Sequence, residues 1–304
     1  MSPSFDDTAS SPSEPGVPVL AVRGLRKSFG GVRAVDGIEL AVATGEFVSI
    51  IGPNGSGKTT TVNLVSGVLR PDAGQVEVAG KRLRPGSQEA AARAGIARTF
   101  QNGRVFGSLT VRENVEIGLH TTITAGRPWQ RLSRIPLLRW VPLVAETVLA
   151  LLPTPAVRAE RRRTDALVDG QLARFAERLT PRAGHNAYTL SYANRRRTEI
   201  ARALALEPTV LLLDEPAAGM NQTETAEVGR QLAELKAAGQ TIVLVEHKLE
   251  LVNALSDRVI VLDEGRVIAE GTPEQIQHDE RVIEAYLGRR RLRTPAGVPG
   301  EKVR

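Results

Sequence analysis

Cysteine does not occur in this 304-residue chain. That excludes disulfides, thiolate metal sites and cysteine nucleophiles. The amino terminus has neither a basic n-region nor an apolar h-region, so no secretory leader is expected and the chain reads as cytosolic. No apolar run reaches the ~18 residues that a membrane-crossing helix needs. The nearest, RWVPLVAETVLALLP (139–153), is interrupted by Pro142 and Glu146 and reads as a buried or interfacial helix. No internal repeat is visible, so one unit is expected, not two. A basic stripe along the body of the chain is also missing, although the formal charge is +6. The arginines gather in two places. Residues 127–163 hold eight against Glu146 and Glu160, and 286–304 hold five, with Lys302, against Glu301. Residues 1–18 carry Asp6, Asp7 and Glu14 and no base, and the remainder is slightly acidic. No nucleic-acid partner is expected from that distribution. Basic segments of this kind suit an anionic lipid surface, or form a solvated arginine-rich face.

A hydrophobic content of 41% and a charged content of 24% are those of an ordinary globular protein able to bury a sizeable core. Residues 1–18, rich in Ser, Pro and Asp, read as a disordered tail, and 289–304 as a basic flexible one. Between them, EFVSIIG (46–52), TVLLLDEP (209–216), QTIVLVEH (240–247) and RVIVLDEG (258–265) are near-continuous apolar runs. Runs of this length predict strands buried on both faces of a parallel sheet. Helical patterns between them predict an α/β layer architecture. From about 101 to 197 strand signals are few and helical ones several, so an α-helical subdomain is expected there, inserted into the α/β body.

Three motifs carry chemistry. GPNGSGKTT (52–60) matches G-x-x-x-x-G-K-[ST] between a predicted strand and a helical pattern. Its residues are Gly52, Pro53, Asn54, Gly55, Ser56, Gly57, Lys58, Thr59 and Thr60. Glycines let backbone N–H groups turn inward on phosphate oxygens, and the following helix N-terminus favours negative charge. Lys58 would reach the β- and γ-phosphates of ATP, and Thr59 would hold Mg²⁺. In VLLLDEP, Asp214 ends a buried run, placed to bind Mg²⁺ through water, and Glu215 follows, placed to polarise the attacking water. In VLVEHK, His247 ends a further strand, and strand carboxyl ends gather at one sheet edge. An imidazole there can donate to a γ-phosphate; alone it would read as structural.

Together these residues resemble the ATP-binding cassette (ABC) ATPases, whose core is a RecA-like P-loop NTPase with an antiparallel β edge. KSFGG places Phe29 where that family stacks an aromatic ring on adenine, and RTFQN places Gln101 where its glutamine loop approaches the metal and γ-phosphate. LSYAN (190–194) falls at the family signature and AAGMN (217–221) at the loop that meets a partner subunit. The resemblance covers 19–288 and is weak over 127–163. RTFQNGRVFGSLTVRENV, LLLDEPAAGMN and VIEAYLG look like the ATPase subunits of branched-chain amino-acid uptake systems, the LivG type. The resemblance implies an ATPase at the cytoplasmic face of the cell membrane. Its partners would be membrane permease subunits and a second similar ATPase, in a heterodimer by preference or a homodimer. An extracytoplasmic binding protein would deliver the substrate. Phe106, Leu109 and the apolar segment 140–152 would lie near the permease, or pack within the subdomain.

The family signature reads L-S-x-G-Q, and here Ala193 and Asn194 replace its Gly and Gln. Ser191 would cap a helix and face, in trans, the nucleotide of the partner. The methyl of Ala193 is expected to crowd that phosphate and Asn194 to fall short of it, weakening the partner's site; the other reading is that both are tolerated. Three alternatives stay open. One is a catalytically weakened regulatory subunit of the same complex. Another is a cassette for a different substrate such as urea or a lipid. The last is a non-transport ATPase, disfavoured because such proteins carry two cassettes or a long coiled-coil insertion.

Overall fold

Three of the apolar runs become strands buried at every residue: Phe47–Ile51 (β3), Val210–Asp214 (β7) and Thr241–Val245 (β8). They belong to a computed structural model that describes residues 18–99, 105–119 and 155–291. The 1–17 part of the first tail, Gln101, the segment 140–152 and 292–304 lie outside the described residues. β3, β8 and β7 pair in parallel, with Ile96–Arg98 (β6) beyond β7 and Arg258–Asp263 (β9) beyond β3. Arg266–Gly271 (β10) closes that side as an antiparallel hairpin with β9, giving the order β10-β9-β3-β8-β7-β6. Because side chains alternate across a strand, the runs split between two cores. Phe47, Leu211, Leu213, Ile242 and Leu244 face one side of the sheet, and Val48, Ile50, Leu212, Val243 and Val245 face the other.

The second core is shared with a separate sheet of order β2-β1-β4-β5. It comprises Leu20–Phe29 (β1), Val32–Val42 (β2), Ala73–Val78 (β4) and Lys81–Arg82 (β5), all antiparallel. The antiparallel part expected as an edge is thus mainly a layer of its own. Between β3 and β4 runs Lys58–Val65 (α1), and Gln88–Arg93 (α2) precedes β6. On the first face, Val111–Gly118 (α3), Pro155–Ala173 (α4) and Tyr192–Leu204 (α5) pack on one another through Val111, Val115, Val168, Leu172, Ile200 and Leu204. Thr110 and Glu113 form a reciprocal cap at the start of α3, which fixes where that helix begins. The chain returns through Gln222–Ala237 (α6), Leu249–Leu255 (α7), Pro273–Gln277 (α8) and Glu280–Arg291 (α9). Among the described residues no helix is long and apolar enough to cross a membrane.

Candidate functional site

The parallel strands β3, β8 and β7 end level with one another, so the loops that follow them meet at one edge. After Ile51 the chain turns at Gly52, whose φ is 148° and where a Cβ would sit 2.0 Å from the Leu262 carbonyl oxygen. Gly57 has φ 100°, and a Cβ there would lie 2.3 Å from the Ala34 carbonyl oxygen. Both positions therefore require glycine, for close approach as well as for conformation. Gly57 caps α1 and makes no side-chain hydrogen bond at the cap. Lys58 Nζ folds back across the loop, donating to Gly52 O at 2.8 Å and Pro53 O at 3.0 Å. Pro53 is buried, Asn54 and Gly55 form the exposed crest, and Thr59 and Thr60 are half-exposed in the first turn of α1. Ser56 is fully buried and its Oγ has no partner. A glycine-rich turn leading into a helix N-terminus, with a lysine folded across it, is the arrangement that binds a polyphosphate.

Asp214 is the last residue of β7 and fully buried. Burial pushes its carboxyl up, and the Arg98 guanidinium opposes the shift. Arg98 donates to Oδ2 at 2.9 Å, while Oδ1 is buried without a partner. Glu215, half-buried, takes a left-handed backbone with φ 47° and donates its N–H to Val245 O at 2.8 Å. A non-glycine residue in that region is strained, and such strain concentrates where side chains are aimed for function. His247 lies just past β8 and is exposed, its Nδ1 3.7 Å from Glu246 Oε2.

Several residues that sequence reading missed build this edge. Arg98, on β6, also donates to Asn63 Oδ1 at 2.6 Å and Ser66 Oγ at 2.9 Å, tying α1 to β7. Arg196, on α5, pairs with Glu199 and donates to the Asp214 carbonyl. The buried Glu246 carboxylate accepts from Ala217 N at 2.9 Å and His247 N at 3.0 Å, joining the loop after Glu215 to the loop of His247. Lys248 Nζ donates to Met220 O at 3.0 Å and Thr225 Oγ1 at 2.7 Å, binding the same two loops again. The available signal was a charge inside an apolar run: Arg98 in IARTF and Glu246 in VLVEH. On the C-terminal side, burial pushes the Tyr286 phenol up and the Gly52 backbone opposes the shift.

Phe29 is 48% exposed at the end of β1, one ring face covered by Lys27 Nζ at 5.6 Å. The other site residues converge differently. Ser191 is exposed and caps α5, its Oγ accepting from Asn194 N at 3.4 Å. Ala193 does not behave as expected. It is 2% exposed and its methyl belongs to the same buried core as Ile200 and Leu204, not to the outer surface. Helix phase is the reason: positions 193, 200 and 204 fall on the inner face of α5. Asn194 is likewise turned in, its Oδ1 accepting from Arg197 at 2.9 Å. The obstruction inferred from LSYAN therefore has no methyl to cause it. Gln101 lies outside the described residues.

The donor set fits a magnesium nucleotide. Among the described residues no three His, Cys, Asp or Glu side chains cluster, so protein carboxylates alone do not make a metal cage. A cation held by one carboxylate, a hydroxyl and phosphate oxygens is the usual Mg²⁺ arrangement in such sites. The unpartnered Asp214 Oδ1 and the Thr59 hydroxyl are the groups available for it.

Comparison with known proteins agrees. The family model described as "ABC transporter" matches residues 35–218, and that described as "Branched-chain amino acid ATP-binding cassette transporter" matches 266–291. The high-affinity branched-chain amino acid transport ATP-binding protein LivG of Salmonella typhimurium is 40% identical over 276 residues, spanning 89% of this chain and 98% of that protein. BraF, the corresponding protein of Pseudomonas aeruginosa, is 37% identical over 272 residues, again spanning 89% and 98%. Among solved structures, the ADP conformation of an ATP-binding cassette of an ABC transporter superposes with a TM-score of 0.70 at 28% identity, covering 90% of this chain and all of that one. With a phosphate cradle, a buried aspartate and an adjoining glutamate at one sheet edge, and relatives that match along nearly their whole length, the chain belongs to the ATP-binding cassette transporter family and is one of its ATPases.

Proposed function

We propose that the chain is the ATP-hydrolysing subunit of an importer for branched-chain amino acids, working at the cytoplasmic face of the membrane. The observation that carries the substrate class is the match of 266–291 to a model specific to branched-chain cassettes, joined to 40% identity with LivG. In this reading the backbone from Gly52 to Thr60 and Lys58 hold the phosphates of ATP, and the open face of Phe29 takes the adenine. Thr59, Asp214 and Gln101 position Mg²⁺, which when bound neutralises charge on the phosphates. Glu215 orients the attacking water, and His247 and Gln101 approach the γ-phosphate. Ser191 at the start of α5 meets the nucleotide of a second cassette subunit. Membrane permease subunits and an extracytoplasmic binding protein complete the system.

The test is reconstitution of the chain with permease subunits, a second ATPase and a binding protein of a branched-chain uptake system, the binding protein outside, in vesicles loaded with ATP. Leucine uptake should require this chain and should vanish with Lys58→Ala, whose lost ammonium no neighbour replaces. ATP turnover without uptake of any branched-chain amino acid would move the substrate to another class. Undiminished uptake by Lys58→Ala would remove the nucleotide from this loop.

A further inference from the structure

The Arg98 side chain ties two different elements together. Its guanidinium reaches Asn63 Oδ1 at 2.6 Å on α1, Ser66 Oγ at 2.9 Å at the C-cap of that helix, and Asp214 Oδ2 at 2.9 Å on β7. The pair is almost wholly buried, with side-chain exposures of 6% for Arg98 and 0% for Asp214. Thr59, Asn63 and Ser66 are spaced four and three apart, so they share one face of α1. The helix face that carries the Thr59 hydroxyl is thus the face Arg98 grips. The other oxygen of Asp214, Oδ1, is buried with no partner.

We propose that Arg98 is a positioning residue for the metal-bound nucleotide. By holding α1 and Asp214 in one planar fork, it sets the separation between the Thr59 hydroxyl and the Asp214 carboxylate. By occupying Oδ2, it leaves Oδ1 as the oxygen offered to the cation. The inference rests on the nucleotide reading of this edge. A guanidinium suits the task because its donors lie in a fixed plane and serve several acceptors at once, whereas an ammonium is a point charge on a flexible stem. Partners that orient metal-contacting groups in this way are worth about 10–100-fold in metal affinity.

The experiment uses the full chain with a non-hydrolysable ATP analogue and Mn²⁺, whose free signal is counted by electron paramagnetic resonance. Arg98→Met should weaken Mn²⁺ binding in the presence of the analogue by about ten-fold or more. Its affinity for the analogue in EDTA should match wild type, because Arg98 is assigned no phosphate. Arg98→Lys should fall between the two. Wild-type Mn²⁺ affinity in Arg98→Met overturns the proposal. So does an equal loss of metal-free nucleotide binding, which would make Arg98 a structural tie alone. If Arg98→Met does not fold, the double variant Asn63→Ala with Ser66→Ala decides. It cuts the fork from α1 and leaves the Asp214 pair; weakened Mn²⁺ binding supports the proposal and unchanged binding defeats it. A wild-type chain that binds no analogue at all points instead to failure of the nucleotide reading.

Discussion

Asp214 and Glu215 are sequence neighbours held for different work. Asp214 is fully buried with one oxygen tied to Arg98, whereas Glu215 stands half-buried with a left-handed backbone. Replacing Glu215 by Gln keeps shape and hydrogen bonding but removes the charge that polarises water. ATP binding should persist while turnover falls by about 10²–10⁴-fold, as for loss of a positioned base. Equilibrium binding of a fluorescent nucleotide beside single-turnover hydrolysis checks both halves, and a variant that turns over normally would hand the role to another group. Lys58 was legible in the sequence because it sits in a contiguous motif whose spacing is dictated by backbone contact with phosphate, and Asp214 and Glu215 because they end an unbroken apolar run. Arg98 and Glu246 were not. Their partners lie 116 and 29 residues away, and only the sheet order brings them together. The inward turn of Ala193 was equally hidden, since LSYAN read as a string has no inner and outer side until α5 is docked.

At the scale of elements, α5 gives the clearest test. Ala193 is a core methyl near the start of a helix, so Ala193→Gly removes burial and adds backbone freedom. Urea unfolding should show a loss of roughly 1–2 kcal/mol, with no rise in the ATPase rate of the assembled complex. A rate gain without destabilisation would restore the view that this methyl faces a phosphate. The junction of β1 with the turn before β4 offers a pH test. Asp72 accepts from Lys27 Nζ at 2.7 Å and from Ser28 N at 2.7 Å, and the Lys27 bond above all holds its carboxyl below the ordinary range. A depressed folded value means stability that is present above the unfolded pKa, about 3.9, and lost as pH falls through the folded one. Asp72→Asn should therefore be less stable than wild type near neutral pH, and the gap should close in acid below the unfolded value. A gap that stays constant with pH would assign the effect to packing. The strands β3, β7, β8 and β9 could be read directly, because unbroken apolar runs signal burial on both faces. β6, of three residues, and β5, of two, are too short to show a period, and they exist because neighbours pair with them.

For the molecule as a whole, the six-stranded sheet is clamped between two cores, and the loops at its carboxyl edge inherit that rigidity. The φ of 47° at Glu215 is held in this frame by the N–H bond to Val245 across β8. An L-residue pays about 1–2 kcal/mol for left-handed geometry, less the extra unfolded-chain freedom that glycine brings, about 0.5–1 kcal/mol. Glu215→Ala and Glu215→Gly both lack the carboxylate, so their difference isolates the backbone. The glycine variant should unfold later in urea by about 1 kcal/mol, and equal midpoints would show that the turn carries no such strain. Seen from protein engineering, this makes position 215 a trap. A screen that rewards heat resistance alone would drift toward glycine there, and its winners would be sturdier proteins with no turnover, so any campaign to harden this ATPase has to select for hydrolysis in the same round.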